Sequence, residues 1–145
     1  MKFERWLLDS DVATCMCKFG LVDDLAKALR VPLQALCILP QLRYQLHLTK
    51  PEKALKKLGS IEAVEQAKWL TDHATEVIVL TDSANRALLE ATPNIDGGEL
   101  ALFAALLDST DSGLITGDKR ALIALSKIEG AIADGLVWVR ILCTE

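Results

Sequence analysis

Cysteine and histidine are scarce in this chain: four cysteines (Cys15, Cys17, Cys37 and Cys143) and two histidines (His47 and His73) among 145 residues. The cysteines are spread widely, and a Cys-x-Cys pair on a helix directs its sulfurs to different faces. That arrangement serves neither a disulfide nor a tetrahedral zinc site. The set reads as ordinary buried thiols in a reducing compartment. Neither histidine has a histidine or cysteine partner at i+3 or i+4, so both are expected on helix surfaces or helix ends, and no nucleophilic or histidine-based catalysis can be argued. Long hydrophobic runs are also missing. The longest, Leu100 to Leu107, falls far short of the ~20 residues that span a bilayer. Met1-Lys2-Phe3-Glu4-Arg5 leads into only three apolar residues before Asp9, which gives no secretory hydrophobic region. An excess of basic charge is absent too: 16 Lys and Arg stand against 20 Asp and Glu, for a net charge of -4. This excludes a globally basic nucleic-acid coat protein but leaves room for a local basic groove. The expectation is a soluble cytoplasmic protein with no membrane partner.

What the chain does have is an apolar core. Hydrophobic residues make up 51% and charged residues 25%, the balance of one globular domain over residues 1–145. Glu4 to Asp9 reads as a buried strand ending in a carboxylate. Val12, Ala13, Cys15, Met16 and Phe19 suggest a helix that ends at Gly20. A second helix follows over Leu21 to Leu29, stopped by Val31-Pro32. Ala35 to Leu39 is a core strand, and Pro40 opens a helix from Gln41 to about His47. A basic segment, Lys50 to Lys57, is closed by Gly59, and Ser60 starts an amphipathic helix through Leu70. Glu76 to Leu80 is the clearest β-branched run and the expected third strand. Asp82 or Ser83 then caps a helix to about Ala91. Asp96-Gly97-Gly98-Glu99 precedes an apolar helix, Leu100 to Leu107. The turn Asp108 to Gly113 leads into a fourth strand, Leu114 to Thr116. A helix over Lys119 to Glu129 and a last strand, Leu136 to Leu142, complete the pattern.

Strands alternating with helices imply a parallel sheet covered on both faces. Right-handed crossovers place every strand's C-terminal end on one edge, where sites form at the reversal of strand order. Asp9 ends strand one, Asp118 follows strand four by two residues, and Glu99 opens the apolar helix. Convergence of such acids raises their pKa values unless a divalent cation neutralises them. Oxygen ligands suit Mg2+ or Mn2+, and such a centre polarises a phosphodiester and activates water. A plainer reading stands beside this one. Asp96-x-x-Glu99 has capping-box spacing, Asp118 can cap the helix it precedes, and Ser10 or Asp11 can cap the first helix. Asp9 is different, because a charge ending an apolar strand is costly without a partner.

Three segments together, Trp6-Leu7-Leu8-Asp9-Ser10-Asp11, Asp96-Gly97-Gly98-Glu99-Leu100-Ala101-Leu102 and Leu114-Ile115-Thr116-Gly117-Asp118-Lys119-Arg120, resemble a PIN domain. The same fold occurs in toxin ribonucleases of the VapC type. The resemblance covers nearly the whole chain. It implies a five-stranded parallel sheet in the order 3-2-1-4-5, helices on both faces and homodimerisation. It also implies Mg2+- or Mn2+-dependent endoribonuclease activity, with Asp9, Glu99 and Asp118 as metal-holding catalytic residues. A further acid usual in the family falls on Gln45, in Leu39-Pro40-Gln41-Leu42-Arg43-Tyr44-Gln45-Leu46. An amide oxygen can ligate but carries no charge and is no base, so metal affinity and activity are expected to fall. Asp11 and Asp96 are candidates to compensate.

Arg43, Lys119 and Arg120 lie close in sequence to these acids and are candidate RNA phosphate contacts. Lys50, Lys53, Lys56 and Lys57 extend that path, with a solvated surface as the plainer alternative. Trp6, Trp69 and Trp138 sit in apolar contexts and are expected in the core or an interface. The leading expectation is a metal-dependent ribonuclease acting on RNA, as the toxin half of a toxin–antitoxin pair with an antitoxin partner. The second is a PIN-like binding or assembly module impaired by Gln45. A phosphorylated receiver domain also uses acids at strand ends, with Asp82 available after strand three. It wants a lysine after strand five, where this chain has Arg140-Ile-Leu-Cys-Thr-Glu.

Overall fold

The computed structural model describes residues 3–78, 87, 89–91, 95, 97–109, 111–126 and 141–143. A five-stranded parallel sheet organises them, in the strand order β3-β2-β1-β4-β5. β1 (Arg5–Leu8) lies at the centre. It pairs with β2 (Leu36–Ile38) through Trp6 opposite Leu36, and with β4 (Ser112–Thr116) through Leu7 opposite Leu114. β3 (Thr75–Glu76) and β5 (Ile141–Cys143) occupy the outer positions. This is the α/β architecture and the strand order expected above.

The period of two along the central strands divides their side chains between two cores. Trp6, Leu8, Leu36, Ile38 and Ile115 face one side. There they meet α1 (Ser10–Lys18), α2 (Val22–Leu29), the short α3 (Leu42–Gln45), α4 (Pro51–Leu58) and α5 (Ile61–His73). Leu7, Cys37, Leu39 and Leu114 face the other side, against α6 (Gly97–Asp108) and α7 (Lys119–Ser126). A strand buried on both faces is largely apolar, and β4 is buried throughout its length, with polar side chains only at its ends, Ser112 and Thr116. α6 is likewise apolar on most sides, with Leu102, Phe103 and Leu106 almost inaccessible.

Local signals set the boundaries. The Ser60 hydroxyl accepts a hydrogen bond from the Ala63 N–H at 3.1 Å and caps α5. Gly59 ends α4 at φ +90°, a conformation open to glycine. Gly113 has a different task. It sits beside Trp6 in the β1–β4 ladder, and a Cβ there would come within 2.5 Å of the indole ring.

Several expectations need correction. The third strand is Thr75–Glu76, earlier and shorter than the β-branched run 76–80. Val77 is buried and its N–H still reaches the Ile38 carbonyl, but Ile78 is 81% exposed. Residues 79 and 80 lie outside the described residues, as do Asp82, Ser83, Trp138, most of the expected helix over 82–91, residues 127–129 and the strand positions 136–140. β4 begins at Ser112 rather than Leu114. α3 is one turn long, and β5 runs to Cys143. Cys17 and Cys37 are buried, and burial pushes the Cys17 thiol up to about 12. Cys15 is exposed, against expectation, because the two ends of Cys-x-Cys do face different ways. Trp69 is also partly exposed: its Nε1–H donates to Asp23 and its ring lies 4.0 Å from that of His73. Among the described residues, no helix is long and apolar enough to cross a membrane.

Candidate functional site: a carboxylate pocket at the strand ends

β1 and β4 run side by side and finish together, with Leu8 opposite Ile115. The chain turns into α1 directly after β1, which leaves Asp9 at the helix N-cap in an extended conformation. Its side chain makes no capping bond there. Instead, the Thr116 hydroxyl donates to Asp9 Oδ2 at 3.1 Å, across 107 residues of sequence. The same Thr116 oxygen accepts the Asp118 N–H at 3.1 Å. One buried hydroxyl at the end of β4 therefore fixes the first acid and the backbone of the last.

These residues border a pocket of about 540 Å³. Asp9, Asp11, Glu99 and Asp118 all line it, having come from the β1–α1 junction, the first turn of α6 and the start of α7. Gln41 and Gln45 at the two ends of α3, Lys57 from α4 and Thr14 from α1 add further polar lining. Ser10 lines it as well, and its buried Oγ has no hydrogen-bond partner.

The electrostatics are those of crowded acids. Burial holds the Asp9 carboxyl above its ordinary value, with the negative charges of Asp11 and Asp118 adding to the rise and the Thr116 hydrogen bond opposing it. Asp118 is shifted the other way, chiefly because it shares a hydrogen bond with the Glu99 carboxyl and also accepts the Ala121 N–H at 3.0 Å. Two carboxyl groups in hydrogen-bond contact must have a proton or a cation between them. Asp118 thus does both jobs expected of it, capping α7 and meeting a second acid.

The donor set fits a hard divalent ion. Every candidate ligand offers oxygen, and Mg2+ characteristically takes one or two carboxylates and keeps its remaining waters for substrate phosphates. Among the described residues, however, no three His, Cys, Asp or Glu side chains are drawn tightly enough together to enclose an ion. Asp9, Glu99 and Asp118 share a pocket and form a close pair plus a neighbour, not a closed triad.

The other expected residues divide. Asp11 and Gln45 are at the pocket, and Asp96 lies outside the described residues. Arg43 is not in the lining. Its Nη2 pairs with Glu76 Oε1 at 3.3 Å and donates to the Thr71 carbonyl at 3.2 Å. Residues two apart on a helix point about 200° away from each other, so a helix that turns positions 41 and 45 into the pocket turns 43 out of it. Lys119 and Arg120 are exposed at the start of α7, outside the lining, although the Arg120 charge helps lower Asp118. Of the lysine cluster, Lys57 alone lines the pocket. Sequence reasoning assigned no role to Thr116 or Gln41, and took Ser10 only as a candidate cap of the first helix. A hydroxyl closing an otherwise apolar strand, two residues before an acid, was the available signal for Thr116.

Compared with protein-family models, with curated proteins and with solved structures, the chain matches none.

Proposed function

We propose that this pocket is the active site of a PIN-type, Mg2+- or Mn2+-dependent endoribonuclease. One observation carries the reading. Acids from three distant segments line a single polar cavity at the reversal of a 3-2-1-4-5 sheet, two of them, Asp9 and Asp118, linked through the buried Thr116 hydroxyl. Asp9, Glu99 and Asp118 would hold the ion, with Gln45 contributing an uncharged oxygen. Bound there, the ion supplies electrostatic activation of water and of the phosphodiester. The chain's own part is positional. Thr116 orients Asp9, and the Ala121 amide and the Glu99 carboxyl orient Asp118. In the same proposal the enzyme is the toxin half of a toxin–antitoxin pair, acting in the cytoplasm as a homodimer that an antitoxin protein holds in check.

A second reading has a specific observation behind it. The uncharged Gln45 and the absence of a closed acid triad among the described residues favour a PIN-like binding or assembly module. Mn2+ titration followed by incubation with a generic single-stranded RNA separates the two. Metal-dependent cleavage that Asp9→Asn abolishes is the expected result. No binding at millimolar Mn2+ together with intact RNA overturns the nuclease in favour of the module.

A further inference from the structure

The pocket is polarised, and its polarity gives the RNA chain a side to lie on. All four of its acids come from the β1–α1 junction, α6 and the residue ahead of α7. The part contributed by α3 and α4 holds Gln41, Gln45 and Lys57 and no acid. Gln41 and Gln45 are one turn apart, with the Gln45 N–H bonded to the Gln41 carbonyl at 3.0 Å, so their amides lie on one face. Lys57 is exposed and has no ion-pair partner among the described residues. A polyanion is repelled by the acid side wherever no cation intervenes, and it meets no repulsion beside two neutral amides and an ammonium group.

We propose that Lys57 anchors a backbone phosphate of the RNA next to the one that is cut, and that Lys53, one turn earlier on α4, continues the track out of the pocket. This rests on the nuclease reading above. It also gives the uncharged residue at position 45 a use, since a carboxylate there would push the incoming strand away. Lys57 is a substrate-anchoring residue; the reacting atoms belong to the acid side. Its neighbour Lys56 shares the last turn of α4 and the same favourable interaction with the helix C-terminus, yet lies outside the lining. Lys56 is therefore the control for a merely structural role.

Steady-state cleavage of a labelled single-stranded RNA at several salt concentrations tests the assignment. Lys57→Gln should raise KM about tenfold and reduce the slope of log(kcat/KM) against log salt by about 0.7, the share of one phosphate contact on a single strand, while kcat stays within about twofold. Lys57→Arg should restore both values, and Lys56→Gln should match the unsubstituted protein. An unchanged KM, an equal effect from Lys56→Gln, or a loss confined to kcat overturns the anchor while leaving the nuclease standing. Absence of cleavage by the unsubstituted protein, or cleavage that survives Asp9→Asn, overturns the nuclease and the anchor with it.

Discussion

Thr116 is the residue on which the arrangement of the pocket turns. It is 3% exposed and spends its donor on Asp9 and its acceptor on the Asp118 N–H. Valine has nearly the same shape and neither capacity, so Thr116→Val leaves an amide and a carboxylate without their partner. The expected cost is about 1–3 kcal/mol of stability, read from the urea midpoint at unchanged m. Because the lost group orients a ligand of the proposed ion, Mn2+ affinity should fall by about 10- to 100-fold in calorimetric titration. A loss of stability with unaltered metal affinity would reduce Thr116 to a structural residue. Its role was hidden in the sequence for a plain reason: the hydrogen bond joins positions 107 residues apart. The acids themselves were legible, since each ends a strand or starts a helix at a predictable edge. The direction in which Arg43 points was not, because α3 has only one turn and offers too few residues to show a periodic face.

At the scale of elements, the contact between Gly113 and Trp6 ties β4 to β1. A methyl group at position 113 would enter the space of an indole ring that is 8% exposed and locked between two strands and the helical layer. Gly113→Ala is expected to destabilise the fold by about 1–3 kcal/mol, visible as a lower denaturation midpoint. Trp6→Leu in the same chain should recover part of that loss by vacating the ring's volume, and simple additivity of the two substitutions would refute the clash. The central strands were readable because burial on both faces leaves apolar residues along their interiors. β3 was misplaced for the complementary reason. An outer strand with both residues exposed carries no apolar signature, and the conspicuous run after it extends beyond the last residue of β2. Pro40, just past that end, has no N–H with which to prolong a ladder.

For the whole molecule, the acid pocket sets a balance between stability and chemistry. Asp9 is half-buried with its carboxyl held above the ordinary value, so the folded state binds its proton more firmly than the unfolded chain does. Ionising it therefore costs stability at neutral pH. Asp9→Asn removes that cost and should raise the melting temperature, modestly because solvent screens a half-exposed group. The sign fixes the window. The gap between variant and parent is full above the folded-state value and closes as pH falls below 3.8, the ordinary value, where both states are protonated. Saturating Mn2+ should reverse the ranking, stabilising the parent and leaving the variant unmoved. A variant that melts lower at every pH would show that Asp9 serves the fold first.

The same central position of β1 has a consequence in time. Its carboxylate leaves the ribosome early, but the hydroxyl that orients it is encoded 107 residues later. At translation rates of about 5–20 residues per second, that interval is roughly 5–20 s. Throughout it the nascent polypeptide lacks both Thr116 and Asp118, and with them the hydrogen bonds that set the proposed centre. If the proposed nuclease activity holds, the chain stays harmless to the messenger it is being read from until β4 slides in beside β1.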